Sequence, residues 1–544
     1  MNRKTRSTLL VLSALLTATS ATAQVKPVTL TYFSSNSNGN WVNMQDEVGK
    51  EITRRTGVTL NAEFAIADPK QKVSLMAASG NYPCLISPKD QAGLLIDAGA
   101  MLELSDLLSK HGPNIKKVMG NQFDRMRFSN KDRGIYFIPN NTPIRTAPFD
   151  SDPYFKVQLA ALKEAGYPKV TTLADYEKVI AAYVKKHPTT ADGKPTIGLS
   201  LLADDWRFPI SVTNPAVLAT GAPDDGEFYI DPKTYAAKPH YFRADERAYF
   251  KWLNGMNAKG LLDKESFTQK YDQYIAKIAS GRVVALTDAN WQIWSGLEAL
   301  WKANMDDKAY ARFPVVVKAG TRSPYNQPTG FSGGYGIGIS KSCKDPVAAM
   351  KFLDFMASDE GQILNSWGVK GKHWTVVNGK RQFIPAVYKL SQDDPKTFRR
   401  TTGIGNYWIS AYYGDGIKDS TGNYYTPKFP EEAIRSQSAA EKAALAAYKV
   451  KFWGDLTPKA STFKARPYGS AWTIPVPNDN DLSEFGSIHN DIVKKYIPRA
   501  ILAPPAEFDK IYTEMLNEMT RRTGKYWPMM AQLVKDRMSL WNTK

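Results

Sequence analysis

Residues 330–374 constrain the fold more than any other part of this 544-residue chain. Their sequence, GFSGGYGIGISKSCKDPVAAMKFLDFMASDEGQILNSWGVKGKHW, reads as a strand, a turn and two helical segments. Tyr335, Ile337 and Ile339 alternate with Gly336, Gly338 and Ser340, the two-residue period of a strand. The glycines leave one face bare, so another backbone or a ligand can come close. Residues 341–345 are polar, and Asp345-Pro346 then starts a helix. The carboxylate caps free amides, and proline loses nothing at the first helical position. Ala349, Phe352, Leu353 and Met356 fall at i, i+3, i+4 and i+7, which predicts a buried helical face. A second short helix is expected through Gln362, Ile363 and Leu364, before Gly368, Gly371 and Trp374.

The start of the chain has the same α/β character. Val28, Leu30 and Tyr32 alternate as a strand. Met44, Val48 and Ile52 share one helical face that Gly57 stops, and Val58, Leu60, Ala62 and Phe64 alternate again. This is a βαβ unit, which implies parallel strands and a right-handed crossover. Asp68-Pro69 opens another helix with Val73, Met76 and Ala77 inward and Gly80 at its end. A short buried strand follows at Cys84-Leu85-Ile86.

The order and spacing of residues 330–374 resemble family 1 extracellular solute-binding proteins of carbohydrate ABC importers. There a GGxGIxIxKxxKxPxAAxxFLDFxxSxEGQxL segment runs into a WG…G…W turn. Residues 76–86, MAASGNYPCLI, are similar to the family phrase ASGxxPDxI, with Cys84 where an aspartate is common. Cys84 is read as a core thiol. Residues 98–116, 132–139 and 157–176 carry further family-like phrases. The resemblance implies an α/β, two-lobed, periplasmic-binding-protein-like (type II) fold with a hinge between the lobes. Asn140-Asn141-Thr142-Pro143 is a turn-rich break and the expected first crossing. The expected N-terminal lobe is residues 24–145 and 325–395, and the C-terminal lobe 146–324 and 396–544. Helices are expected at residues 438–448 and 506–523, and a polar, aromatic-rich loop at 419–430.

Composition narrows the function. A chain that is 43% hydrophobic and 23% charged has enough apolar surface for two or more domains. Residues 1–23 read as a secretory leader: basic Arg3, Lys4 and Arg6, an apolar stretch at 9–16, and Ala21-Thr22-Ala23 for cleavage. Removing them lowers the formal charge from +18 to +15. No cysteine follows Ala23, so no lipid anchor is expected there. No later apolar run reaches membrane-spanning length. The basic charge suits an exterior rich in lysine. A nucleic-acid partner is not expected, because no basic stripe accompanies a binding motif. Cys84 and Cys343 leave one bridge open as an alternative. His111, His187, His240, His373 and His489 show no metal-ligand spacing. Of a calcium-loop pattern in residues 188–199 only Asp192 and Gly193 remain, which reads as a solvated turn. No metal and no cofactor are expected.

Ligand-site candidates follow strand ends. Residues 281–294, GRVVALTDANWQIW, predict a buried strand at 283–287, with Asp288, Asn290, Trp291 and Trp294 beyond it. Open α/β sheets bind ligands outside the carboxyl ends of their strands. A sugar offers hydroxyls at its edge and C–H bonds on its face. Carboxylate and amide suit the first, and indole the second. Trp291 is expected to stack on a ring and Asp288 to accept from its hydroxyls, with Asn290 beside them. Trp41 after the first strand, Asp205 and Trp206 after a strand at 197–202, and Trp408 and Tyr412 are further candidates. Trp367 and Trp374 read as structural, and Trp294 as equally suited to core or site. Adjacent acids such as Asp204-Asp205 and Asp393-Asp394 do not make a glycosidase pair. There is no G-x-S-x-G elbow or phosphate loop, so no enzyme is expected. The reading is a monomeric extracytoplasmic protein that captures an oligosaccharide for an ABC permease. The alternatives are a binding protein for peptides or other non-sugar solutes, and a secreted polysaccharide-processing enzyme.

Overall fold

A computed structural model of the chain describes residues 27–65, 69–142, 144–145, 149–331, 336–476 and 481–542. The leader expected at 1–23, Asp68, Pro143 and Tyr335 lie outside the described residues. No described helix is long and apolar enough to cross a membrane.

The first sheet opens with β1 (Val28–Ser34), β2 (Val58–Phe64) and β3 (Leu85–Ser87). β1 pairs in parallel with both others, in the register Val28↔Val58 and Tyr32↔Leu85. The Glu47–Thr56 helix makes the crossover. Asp46 caps it by accepting from the Gly49 N–H at 2.7 Å, and Gly57 ends it at φ +72°. Met44, Val48 and Ile52 are buried, as their spacing predicts. The chain next adds β4 (Ile138–Pro139) to this sheet and leaves it through β5 (Ile144–Arg145).

The second sheet is built from β6 (Phe155–Gln158) and β7 (Ile197–Ser200). The β8 (Phe228–Ile230) and β9 (Ala237–Pro239) hairpin interrupts it, and β10 (Val283–Thr287) and β11 (Tyr310–Phe313) complete it. Its order is β11-β6-β10-β7, with β10 parallel to β7 and antiparallel to β6. Every residue of β10 is buried, because helices cover both faces. Phe155, Tyr176, Tyr249, Phe250 and Leu286 lie in its core.

The chain returns through β12 (Gly330–Phe331), antiparallel to β5, and enters the first sheet as β13 (Gly336–Ile339). That sheet's order is β2-β1-β3-β13-β4. A Cβ at Gly338 would stand 2.7 Å from the Tyr136 carbonyl, so the bare glycine face admits a neighbouring backbone. The Pro346–Ala357 helix follows as expected, with Asp345 accepting from the Ala348 N–H at 2.9 Å. The Asp359–Trp367 helix comes next, then the hairpin β14 (Trp374–Val377) and β15 (Lys380–Phe383). Trp367 and Trp374 are buried, and their indoles donate to the Tyr424 and Gly368 carbonyls. They are structural, as read.

One reading changes in the structure. Cys84 is not a free core thiol. It is bridged to Cys343, 259 residues away, because antiparallel β3 and β13 bring the two Cα atoms to 4.1 Å. Phe398, Ile404, Tyr407, Ile409 and Ala411 pack in the first core, whereas Ala444, Leu445 and Trp453 pack in the second. Asp394 caps the Pro395–Thr402 helix, accepting from the Thr397 N–H. Helices at Leu482–Leu502 and Trp527–Asn542 join the expected Ala439–Tyr448 and Phe508–Thr523.

The Trp527–Asn542 helix reaches the crossing. Trp541 meets Phe331 of β12 edge-to-face at 5.5 Å, and the Arg125 and Arg537 guanidinium groups lie 4.8 and 4.4 Å from its ring centre.

Candidate functional site

The parallel strands β7 and β10 end side by side, and the two connections beyond them carry exposed tryptophans. After β7, Asp204 accepts from Lys270 and from the Tyr271 N–H, which holds the turn to a neighbouring helix. Asp205 then adopts φ +45°, a left-handed conformation that aspartate tolerates better than most residues. Trp206 follows, and a single π-helical turn, Pro209–Thr213, carries the chain back into the core. After β10 the Asn290–Lys302 helix begins, with Trp291 in its first turn. The Asn290 N–H donates to Asp152 at 2.6 Å, which fixes where that helix starts.

These connections bring Trp206 and Trp291 together. Their rings are 8° from parallel, with centres 6.0 Å apart. Trp206 is 56% exposed and Trp291 57%, so most of the pair faces solvent. The Arg207 guanidinium lies 4.6 Å from the Trp206 ring centre and 4.3 Å from that of Tyr271. Asp205 pairs with Arg207 at 2.9 Å. The Tyr271 hydroxyl donates to the Gln292 carbonyl, joining the two connections. The result is an aromatic platform rimmed by a carboxylate and a guanidinium.

Asp288 does not share that surface. It is 0% exposed, and its carboxylate accepts from the Tyr274 hydroxyl, the Gln292 amide and the Ala289 N–H. Burial pushes its pKa up to about 6. Both carboxylate oxygens are thus engaged by protein donors, where a direct bond to a ligand hydroxyl was expected. Trp294 is exposed, with its indole donating to Glu298.

The corresponding edge of the first sheet gathers the ends of β1, β3 and β4. The Ser35 N–H donates to the Ser87 carbonyl at 2.9 Å, and Asn140 donates to the Ser87 hydroxyl at 3.1 Å. Lys89, two residues on, sits half-buried at φ +54°, and burial pushes its ammonium pKa down. The Tyr412 N–H reaches the Asn141 carbonyl, which sets Tyr412 and Trp408 beside this edge. Their rings lie 4.4 Å apart, and Trp408 is 37% exposed. Tyr407 anchors the segment by donating to Asp46 at 2.6 Å. Trp41 lies deeper, half-buried against Phe64 and Tyr407, with its indole N–H buried and unpartnered. It therefore forms a wall of this edge, not an open stacking face.

Sequence reasoning grouped Arg207 with Asp204, Asp205 and Trp206 but did not single out Tyr271, Ser35, Ser87, Lys89 or Asn140. Of the latter, only Asn140 carried a signal, as part of the turn-rich crossing. A cavity of about 400 Å³ lies elsewhere, between β1, β2 and the Pro69–Ser79 helix, and none of the site tryptophans lines it. The Asp192-Gly193 turn is exposed, with Asp192 paired to Lys194, and no grouping of three metal-ligating side chains occurs among the described residues.

Residues 47–368 match the model of the bacterial extracellular solute-binding protein family. Lipoprotein LipO of Bacillus subtilis (strain 168) is 24% identical over 327 residues, which is 57% of this chain and 60% of that protein. The match thus spans about 60% of that relative's length. Among solved structures, the alginate-binding protein AlgQ2 without calcium ion superposes with a TM-score of 0.61 at 18% identity. It covers 96% of this chain and 100% of its own. FusA of S. pneumoniae, an EF-hand mutant in complex with fructo-nystose, gives 0.66 at 16% identity, covering 94% and 100%. A solute-binding protein described as HMO-binding, from Bifidobacterium longum infantis ATCC 15697, gives 0.66 at 15% identity, covering 95% and 100%. At these identities the likeness is one of fold.

Proposed function

Because the chain belongs to the bacterial extracellular solute-binding protein family, we propose that it captures an oligosaccharide outside the cytoplasm and hands it to a membrane ABC permease. The observation that carries this reading is the exposed Trp206–Trp291 platform at the carboxyl edge of the second sheet. A pyranose or furanose ring buries its C–H face on an indole and keeps its hydroxyls for polar neighbours. Asp205, Arg207 and Asn290 surround the platform as those neighbours. The first lobe brings Trp408, Tyr412, Ser35 and Asn140 to the other side of the ligand. The paired crossings at β5 and β12 act as the hinge. Closure follows only if the ligand binds the closed form better than the open one.

Binding without turnover fits the groups present. Asp288 is buried and Asp205 is paired with Arg207, so these two carboxylates do not stand free beside the platform to flank a glycosidic bond. The solute-binding structures of similar fold include proteins whose descriptions name alginate, fructo-nystose and Man5GlcNAc, which supports a sugar over a peptide. The mature protein begins at Gln24 and works in the periplasm or outside the cell as a monomer. Intact-mass measurement of the exported protein tests that start.

The deciding experiment is mass spectrometry of whatever co-purifies with the protein, followed by a melting screen against sugars and peptides. A ligand that binds only the folded state raises the melting temperature. Stabilisation by peptides and by no sugar would overturn the oligosaccharide reading.

A further inference from the structure

The Asn290–Lys302 helix has an aromatic face larger than the platform uses. Trp291, Trp294 and Trp301 are 57%, 46% and 38% exposed, and Ser295, Glu298 and Lys302 share their side. Trp291 and Trp294 are three residues apart and therefore neighbours on the helix surface. Trp294 and Trp301 meet edge-to-face, with ring centres 5.3 Å apart and planes at 74°. The Glu298 carboxylate accepts from the Trp294 indole N–H at 2.6 Å, which pins that ring while leaving its face open. From Trp291 to Trp301 the helix rises about 15 Å. With Trp206 stacked on Trp291, indoles run from the sheet edge outward along the helix.

Soluble proteins seldom leave such a surface bare without a use. Its composition is particular: every exposed apolar side chain on the face is an indole, and serine, glutamate and lysine lie between them. Flat apolar rings beside hydrogen-bonding groups match what a chain of sugars presents. The face is also continuous with the platform.

We propose that the Trp294–Glu298–Trp301 surface is an outer extension of the sugar site, which holds the part of a long oligosaccharide that projects beyond the lobes. This rests on the oligosaccharide reading above.

The test uses the full-length mature protein and its Trp294→Ala/Trp301→Ala variant. The probes are the trisaccharide and the long-chain forms of alginate, inulin-type fructan and mannan, measured by calorimetry. In the series that the wild type binds, the variant is expected to keep its trisaccharide affinity and to bind the long chain roughly tenfold or more weakly. Trp294→Phe/Trp301→Phe, which keeps flat rings, should recover most of that loss. An equal loss at every length, or no loss at any, overturns the extension and leaves the platform standing. Unchanged affinities together with lost growth of cells on that sugar would assign the face to permease docking instead. If the wild type binds none of the three series and carries no sugar on purification, the oligosaccharide reading falls and the extension with it.

Discussion

Breaking the Cys84–Cys343 bridge should destabilise the first lobe more than any single core substitution would. The bridge closes 259 residues of sequence. In the chain-entropy model a loop of that length restricts the unfolded chain by about 5.5 kcal/mol at 25 °C. The second lobe reduces this figure if it stays folded, because its sheet holds Phe155 opposite Phe313. The loop then shortens to the two flanking stretches, roughly 100 residues together, worth about 4.7 kcal/mol. Both routes give close to 5 kcal/mol, which is an upper bound because measured disulfides commonly deliver less. The perturbation is Cys84→Ser/Cys343→Ser, compared with the wild type with and without reductant. Urea unfolding should be followed by tryptophan fluorescence and circular dichroism together, since two lobes need not unfold in one step. A loss of several kcal/mol, matched by the reduced wild type, is expected. A double variant within about 1 kcal/mol of the oxidised protein would refute the reasoning.

Three other outcomes follow from the geometry. Trp206→Ala and Trp291→Ala should each weaken sugar binding roughly tenfold or more while stability stays within about 0.5 kcal/mol, as for other exposed positions. Calorimetry and melts on the same samples check this, and unchanged affinity removes the platform from the site. His240 is buried, which disfavours its charge, but the Glu246 and Glu227 carboxylates beside it raise its pKa to about 10. Its folded-state pKa lies above the ordinary 6.5, so its stabilisation is complete below that pH and fades as pH climbs toward 10. Denaturation at pH 6 and pH 9.5 should show the fall, and His240→Gln should flatten it; an equally steep fall in the variant excludes His240 as its source. Gly403 has φ +78°, and a Cβ there would strike the Asp46 carboxylate that caps the Glu47–Thr56 helix. Gly403→Ala should cost about 2–3 kcal/mol in urea unfolding, and a cost below 0.5 kcal/mol would show that the cap can move aside.

What was legible in the sequence was what local chemistry decides. Asp345-Pro346 with its 3.6-residue apolar repeat produced the helix it predicts, and the apolar run at Val283–Thr287 produced a buried strand with tryptophan beyond its end. Trp206 and Trp291 were legible one at a time, because each follows a strand. Their pairing was not, since it depends on β7 and β10 being neighbours. The partners of Asp288 were not legible either, because nothing nearby in sequence announces Tyr274, whose hydroxyl donates to it. The disulfide had no local signature across 259 residues. The Leu482–Leu502 helix was hidden by Pro498 inside it, a residue that usually ends helices.

The seat of Trp541 against Phe331 and Arg125 bears on how this protein is completed during synthesis. Residues from the far end of the chain rest on the strand where it passes between lobes, and on a helix made near the beginning. The first sheet likewise waits for β13, laid down after the whole second sheet. The order of synthesis is therefore not the order of assembly. The first sheet cannot close before β13 is made, and the Phe331 contact cannot form before Trp541 is made. A chain halted before β13 is an open thread, and a cut that removes Trp541 acts on the joint at Phe331.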